Sequence, residues 1–223
     1  EKSGLGEYRM YYPYPERWFP MSMYSDHWLP GAGELNQNLR NFEGERLVLF
    51  DEEKVYDQII ADGRFPEFSN TFLIVAGSER TDLPVYVKYS NDRAKEFMIR
   101  TDILKTEDGC QVRKVPVSQE AKAHVTAMKH WEEVLGTQYA AACVKVNHCE
   151  LKEDAAYFEF LSGHTLEERL DDLRAQKEYG KLAEALQEYK KLLLACLQRE
   201  LQPFAVSPKF VEMFGTADFK KAY

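Results

Sequence analysis

Apolar residues change their spacing along this chain, and the change divides it. Phe72-Leu73-Ile74-Val75 is a short apolar run; Val85, Val87 and Tyr89 then alternate with other residues, as do Phe97, Ile99, Thr101 and Ile103. A period of two puts alternate side chains on one face of a sheet, so these segments predict strands. Glu107-Asp108-Gly109 reads as a turn with glycine at a positive-φ position, and Val112, Lys114, Val115 and Val117 continue a far strand. The expectation is an antiparallel meander of three or four strands. Near Val117 the period lengthens. Ser118-Gln119-Glu120 is a capping start, Val125, Met128, Trp131 and Leu135 recur at helical spacing, and Gly136 is the predicted stop.

Tyr139 to Val146 is apolar and fits either a strand or a loop. Ala156 to Leu161 predicts another strand, ended by Ser162-Gly163. Thr165 then caps a helix with Glu167 and Glu168 in its first turn, where acidic groups favour the positive end of the dipole. A last helix spans about Lys181 to Leu201, with Leu182, Leu186, Tyr189, Leu193, Cys196 and Leu197 on one face and Pro203 beyond it. Upstream of the meander, Leu47 to Phe50 is strand-like. Asp51 is a good N-cap, Val55, Ile59 and Ile60 form an apolar stripe, Gly63 stops that helix and Phe65-Pro66 reads as a break.

The first thirty residues differ from all of this. They hold Tyr8, Tyr11, Tyr12, Tyr14, Trp18, Phe19, Tyr24 and Trp28, with prolines at 13, 15, 20 and 30. Proline lacks a backbone donor, so Tyr11-Tyr12-Pro13-Tyr14-Pro15 is expected in neither a regular helix nor a central strand. Such rings read as a platform for a carbohydrate or aromatic ligand or, in the preferred reading, as packing surface for a neighbouring domain or strand.

Composition narrows the classes. The chain has 223 residues, enough to bury a real core, and a net charge of −8. That balance argues against a general nucleic-acid binder, which needs a basic face to release counterions. A mean hydropathy of −0.51 and the lack of an apolar run near 18 residues predict no transmembrane segment. The N-terminus Glu1-Lys2-Ser3-Gly4 shows no targeting segment, and a cytoplasmic location is expected. Cys110, Cys143, Cys149 and Cys196 form no C-x-x-C, and the histidines form no ligand pattern. Free thiols and no metal are expected.

The order of meander, helix, strand, Gly turn, helix and long helix is that of a kinase-like fold up to its catalytic half. Tyr157-Phe158-Glu159-Phe160 followed by Ser162-Gly163-His164-Thr165-Leu166-Glu167-Glu168-Arg169-Leu170 resembles the hinge and next helix of bacterial lipopolysaccharide-kinase and aminoglycoside-phosphotransferase-like proteins. Tyr11 to Pro15, Asn70 to Leu73 and Val87 to Arg93 look like the junction between a methyltransferase and a kinase-like domain in multidomain bacterial surface-polysaccharide proteins, including O-antigen methyltransferase–kinases.

The resemblance implies an α+β fold. A kinase-like N-lobe, an antiparallel sheet plus one helix, would be followed by the helical start of a C-lobe and preceded by the aromatic, Pro-rich arm. It divides the chain into a methyltransferase-tail-like arm and linker helix (1–65) and a truncated kinase-like domain (66–223), with a sheet part at 66–162 and a helical part at 163–223. About four or five strands are expected in the sheet. Lys114 would meet nucleotide phosphates, as the third-strand lysine does in kinases. Its helix partner would be Glu120, Glu132 or Glu133; Arg113 could take its place, and a lysine on a strand is otherwise a solvated edge charge. Ser90-Asn91-Asp92-Arg93 stands where a phosphate-covering loop would lie, though it lacks glycines and also reads as a polar hairpin turn. The backbone from Glu159 to Leu161 would meet an adenine. The implied cofactor is ATP, bound through Lys114, Ser90, Arg93 and Glu159.

Catalytic residues are a different matter. A phosphotransferase needs a catalytic-loop Asp, a downstream Asn and a second Asp for Mg²⁺. Beyond the long helix only Asp218 is a candidate, with Tyr223 where the Asn would be. A methyltransferase needs a Gly-rich turn and an acidic strand end, and neither is present. The chain therefore reads as part of a bacterial transferase for cell-surface polysaccharide assembly, inactive by itself. The alternative is a non-catalytic kinase-like scaffold linking glycosyltransferase or methyltransferase domains. The expected partners are other domains of the same polypeptide; the arm and the long helix are expected either to pack on each other or to be buried in a homodimer interface.

Overall fold

A computed structural model describes residues 8–35, 49, 52–77, 83–140, 145–197 and 211. The chain divides into two compact units, residues 1–140 with 144–163, and residues 141–143 with 164–223. The first is built on a sheet of eight strands: β1 (Tyr8–Tyr14), β2 (Ser22–Ser25), β3 (Leu73–Ala76), β4 (Tyr86–Tyr89), β5 (Ile99–Thr106), β6 (Gly109–Pro116), β7 (Cys149–Lys152) and β8 (Ala155–Glu159). Their order is β3-β1-β2-β4-β5-β6-β8-β7, and every neighbouring pair is antiparallel. The α+β class matches the expectation, and β4-β5-β6 form the antiparallel meander; β3, expected to open it, pairs with β1 instead. The sheet is larger than the four or five strands expected.

The difference comes from the arm. Tyr8–Tyr14 is a strand with β2 on one side and β3 on the other, although its prolines argued against that. β3 pairs only with Tyr8 to Tyr11, so Pro13 lies beyond that ladder, where β1 has a single neighbour. Proline is tolerated where one side of a strand is unpaired. The rings then act as core. Tyr12, Tyr14 and Tyr24 are buried with Leu35 and Phe65, and Met10, Trp28, Tyr56, Ile59, Ile60 and Tyr86 pack around them.

Helix α1 (Glu52–Ala61) ends as expected at Gly63, whose φ is +69°. The Gly63 N–H donates to Ile60 O and the Arg64 N–H to Ile59 O, satisfying the last carbonyls in a Schellman arrangement. The packed stripe is Tyr56, Ile59 and Ile60, while Val55 is exposed. Asp51 and the run 47–50, apart from Leu49, lie outside the described residues. Phe65-Pro66 is not a break but the start of a short helix, α2 (Phe65–Phe68), with proline in its first turn where no donor is lost. Burial of the Phe65 ring there contributes about 2–3 kcal/mol.

Helix α3 (Lys122–Tyr139) follows β6. The N-cap is Ala121, without a side-chain cap, so Ser118 does not cap the helix as expected; its hydroxyl accepts from the Ala121 N–H at 3.2 Å, one residue before the helix begins. Gly136 does not stop the helix, because glycine costs only about 1 kcal/mol in a helix whose next residues remain helical. Val125 and Met128 pack on Ile99, Cys149, Ala156 and Phe158, but Trp131 and Leu135 are exposed. Of the segment left open between strand and loop, Lys145 and Val146 are in neither helix nor strand, and residues 141–144 lie outside the described residues; β7 follows it and pairs with β8 as a hairpin.

Register fixes the faces. Ser22, Lys88, Thr101, Lys114, Ala156 and Leu151 form one row across β2, β4, β5, β6, β8 and β7. The row two residues along holds Tyr86, Ile103, Val112, Phe158 and Cys149. Side chains two apart share a face, so α1 and α2 pack at one end of this face and α3 at the other.

The second unit holds α4 (Leu166–Ala175) and α5 (Tyr179–Leu197). Thr165 caps α4 as expected, in a reciprocal box: its hydroxyl accepts from the Glu168 N–H at 3.2 Å, and the Glu168 carboxylate accepts from the Thr165 N–H at 2.6 Å. On α5, Ala185 is buried while Leu186, Tyr189 and Leu193 are exposed. No described helix is long and apolar enough to cross a membrane.

Candidate functional site

Lys114 lies in the middle of β6, half-buried, on the α3 face of the sheet. Its Nζ stands 5.5 Å from the centre of the Phe158 ring. Burial, and then the charge of Arg93, push its pKa below the usual lysine value. Among the described residues it has no carboxylate partner. Glu132 is held instead by Lys129 at 2.6 Å and His148 at 2.9 Å. The α3 residues packed on the sheet are Val125 and Met128, so a glutamate at those positions is missing.

Arg113 does not take the place of Lys114. Strand alternation sends it to the opposite face, where it is paired with Asp102 at 2.8 Å. Asp102 is fully buried and also accepts from Arg100 at 2.8 and 3.0 Å. Two guanidinium forks satisfy both carboxylate oxygens, the condition under which a buried charge is tolerated.

The segment from Ser90 to Met98 connects β4 to β5. The Ser90 N–H donates to Ile99 O at 3.0 Å, and Ser90 O accepts from the Arg93 N–H at 3.4 Å. The Asn91 side chain donates to Pro20 O at 2.9 Å. A short 3-10 turn, Lys95–Phe97, brings the connection to α3, where the Phe97 ring meets His124. Ser118 Oγ donates to Lys95 O at 3.0 Å from the same side. The connection is thus anchored at both ends by hydrogen bonds, without the glycines of a phosphate loop.

Arg93 is exposed, and its charge acts on both Lys114 and His124. His124, in the first turn of α3, has its pKa lowered by burial and then by Arg93 and Lys114. Lys88 and Thr101 complete the row beside Lys114. Of the residues singled out from sequence, Arg93 acts on Lys114 through its charge, and Ser90 sits at the base of the loop that carries Arg93. Glu159, at the end of β8, faces the other side of the sheet. Its carboxylate lies 3.8 Å from Lys145, and its carbonyl accepts from the Asn147 side chain at 2.9 Å.

Lys88, Thr101 and His124 were missed in the sequence. Lys88 and Thr101 join Lys114 by a cross-strand register, which no single strand displays, and His124 belongs to a separate helix. No group of three or more His, Cys, Asp or Glu side chains among the described residues could hold a metal ion.

Comparison with protein-family models, with curated proteins and with solved structures finds no match for this chain.

Proposed function

We propose that this chain is the kinase-like, nucleotide-binding part of a bacterial transferase for cell-surface polysaccharide, located in the cytoplasm and working beside other domains of its polypeptide. One observation carries the reading: a half-buried lysine, Lys114, on the third strand of a β4-β5-β6 meander, with α3 next in the chain and the β7–β8 hairpin after it. Burying an amine away from any carboxylate is unfavourable, and such positions are enriched in functional sites. The β4–β5 connection meets α3 through Phe97 and His124, and the charge of Arg93 acts on Lys114. The Gln111–Glu159 pair is three positions along β6 from Lys114–Ala156, about 10 Å by strand rise. A nucleotide laid along β6 would have its phosphates at Lys114 and Arg93 and its base toward Phe160.

A scaffold without catalysis is the second reading, favoured by Val125 and Met128 standing where a kinase helix offers its carboxylate. The exposed Leu186, Tyr189 and Leu193 of α5 suit contacts with another domain or a second copy under either reading. Titration with a fluorescent ATP analogue separates the two. The nucleotide reading predicts saturable binding that Lys114→Ala removes and no phosphoryl transfer by the chain alone; the scaffold reading predicts no binding. Transfer to a glycan acceptor that Lys114→Ala abolishes would contradict both.

A further inference from the structure

The sheet is open, so its outer strands β3 and β7 each leave one row of backbone donors and acceptors without a partner strand among the described residues. The two edges differ. β7 is charged: Glu150 and Lys152 are exposed and paired at 2.9 Å, and Asp154 in the turn beyond is held by Lys122 at 2.6 Å. Charges on an edge oppose the approach of another strand. β3 carries none, and every side chain from Asn70 to Gly77 is uncharged. Phe72, Leu73 and Ile74 are 53, 42 and 52% exposed, and Ala76 is exposed as well. Ile74 lies opposite Met10 and Ala76 opposite Tyr8, while the Phe72 ring meets Tyr12 edge to face at 5.9 Å. Strand alternation therefore puts Phe72, Ile74 and Ala76 on the face that carries the aromatic core, next to Tyr8, itself exposed. Arg9, opposite Val75, donates to the carbonyls of Leu83 and Pro84.

We propose that β3 is the strand through which two copies of this chain associate, edge to edge and antiparallel, so that their sheets become continuous. A second copy is the occupant because the strand is complementary to itself. A two-fold axis normal to the sheet keeps each face on its own side, so facing residues share a face and the axis passes through a residue. With the axis at Ile74, Phe72 faces Ala76 of the second copy, Leu73 faces its Val75, and Ile74 faces its own counterpart. A large ring then meets a small side chain on either side of the axis, and no charge opposes another. Half-exposed rings and aliphatic chains leave about 100 Å² each. The strand and Tyr8 thus bring the contact to roughly 1,000 Å² over both copies, the lower limit for specific association. A weak, reversible dimer follows. Each copy carries a net charge of −8, so added salt strengthens the contact by screening their repulsion.

Sedimentation equilibrium of the full chain over a wide concentration range reads the association, expected with a dissociation constant on the order of 10–100 µM for so small an interface. Ile74→Lys sets two ammonium groups opposite each other at the axis and should weaken the dimer about tenfold or more. Ile74 is half exposed, so this variant retains the fold, which an unchanged near-UV circular dichroism spectrum checks. Leu186→Lys, on the exposed stripe of α5, is the control and should leave association unchanged. Ile74→Cys tests the register separately, because facing residues of an antiparallel pair are close enough for a disulfide. Mild oxidation should give a covalent dimer whose bridge maps to position 74 in both copies. A chain that is monomeric at every concentration overturns the proposal and leaves the edge to a strand from another protein or domain. A dimer lost with Leu186→Lys but indifferent to Ile74→Lys, or one in which position 74 does not crosslink, overturns it too.

Discussion

Phe97 and His124 meet edge to face, with ring centroids 5.3 Å apart and planes at 89°. The contact holds the β4–β5 connection against the first turn of α3 and helps to keep water from the imidazole. Because burial, Arg93 and Lys114 lower the His124 pKa in the folded protein, the unfolded chain binds the proton first on acidification. Stability should therefore fall as pH drops through about 6.5 and level off below the folded pKa. In His124→Gln this component is absent. Melting temperatures recorded from pH 8 to pH 5 should decline less in the variant, and parallel curves would contradict the described environment of His124.

Glu132 gives the opposite dependence. Lys129 and His148 hold its carboxyl down to about 2, below the ordinary value of about 4.3. Its contribution is complete above about pH 4.5 and is lost as pH falls toward 2. Glu132→Gln should unfold at lower urea than wild type at pH 7, and the difference should close by pH 2. A gap independent of pH would mean that packing, not the ion pairs, is responsible.

Asp102 joins the sheet's middle strands through Arg100 and Arg113. Asp102→Ala would leave two guanidinium groups without their buried counter-charge, and the cost should be about 3 kcal/mol. Chemical denaturation measures it directly. Arg113→Ala should cost less than Asp102→Ala, because Arg100 still satisfies the carboxylate.

These groups show what could be read in advance. The alternation from Val85 to Ile103 and the Glu107-Asp108 turn were legible because each strand carries its own period, and Thr165 with Glu168 because the capping box is local. β1 was not legible: the tolerance for Pro13 depends on where β3 ends, sixty residues away along the chain. Phe65-Pro66 misled because proline at a helix start and proline at a break look alike. Lys114 was visible as a lysine on a strand. Lys88 and His124 belong to other elements: sheet register places Lys88 in the same row, and His124 comes from α3.

Lys114 also sets function against stability. Its ammonium is desolvated with no carboxylate beside it among the described residues. Lys114→Met keeps the apolar stem against Phe158 and removes the charge, so the unfolding midpoint should stay level or rise while nucleotide binding is lost. A variant that is both destabilised and still competent to bind would place Lys114 outside the site.

Phe65 tests the aromatic core apart from the site. It contacts Tyr12, Tyr24 and Tyr56 at centroid distances of 6.0, 5.6 and 6.3 Å. Phe65→Ala should cost about 3–5 kcal/mol by urea unfolding. A loss below 1 kcal/mol would show that the arm does not form the core of this sheet.

The central claim is that the α3 face of the sheet, around Lys114, receives a nucleotide. The most direct measurement is an amide-resolved NMR titration of the full chain with ATP. Shifts concentrated at Lys88, Ser90 to Phe97, Lys114 and His124, with smaller ones at Glu159 to Leu161, are the predicted result. Shifts centred on Arg100, Asp102 and Arg113 on the opposite face, or none at saturating ATP, would contradict it.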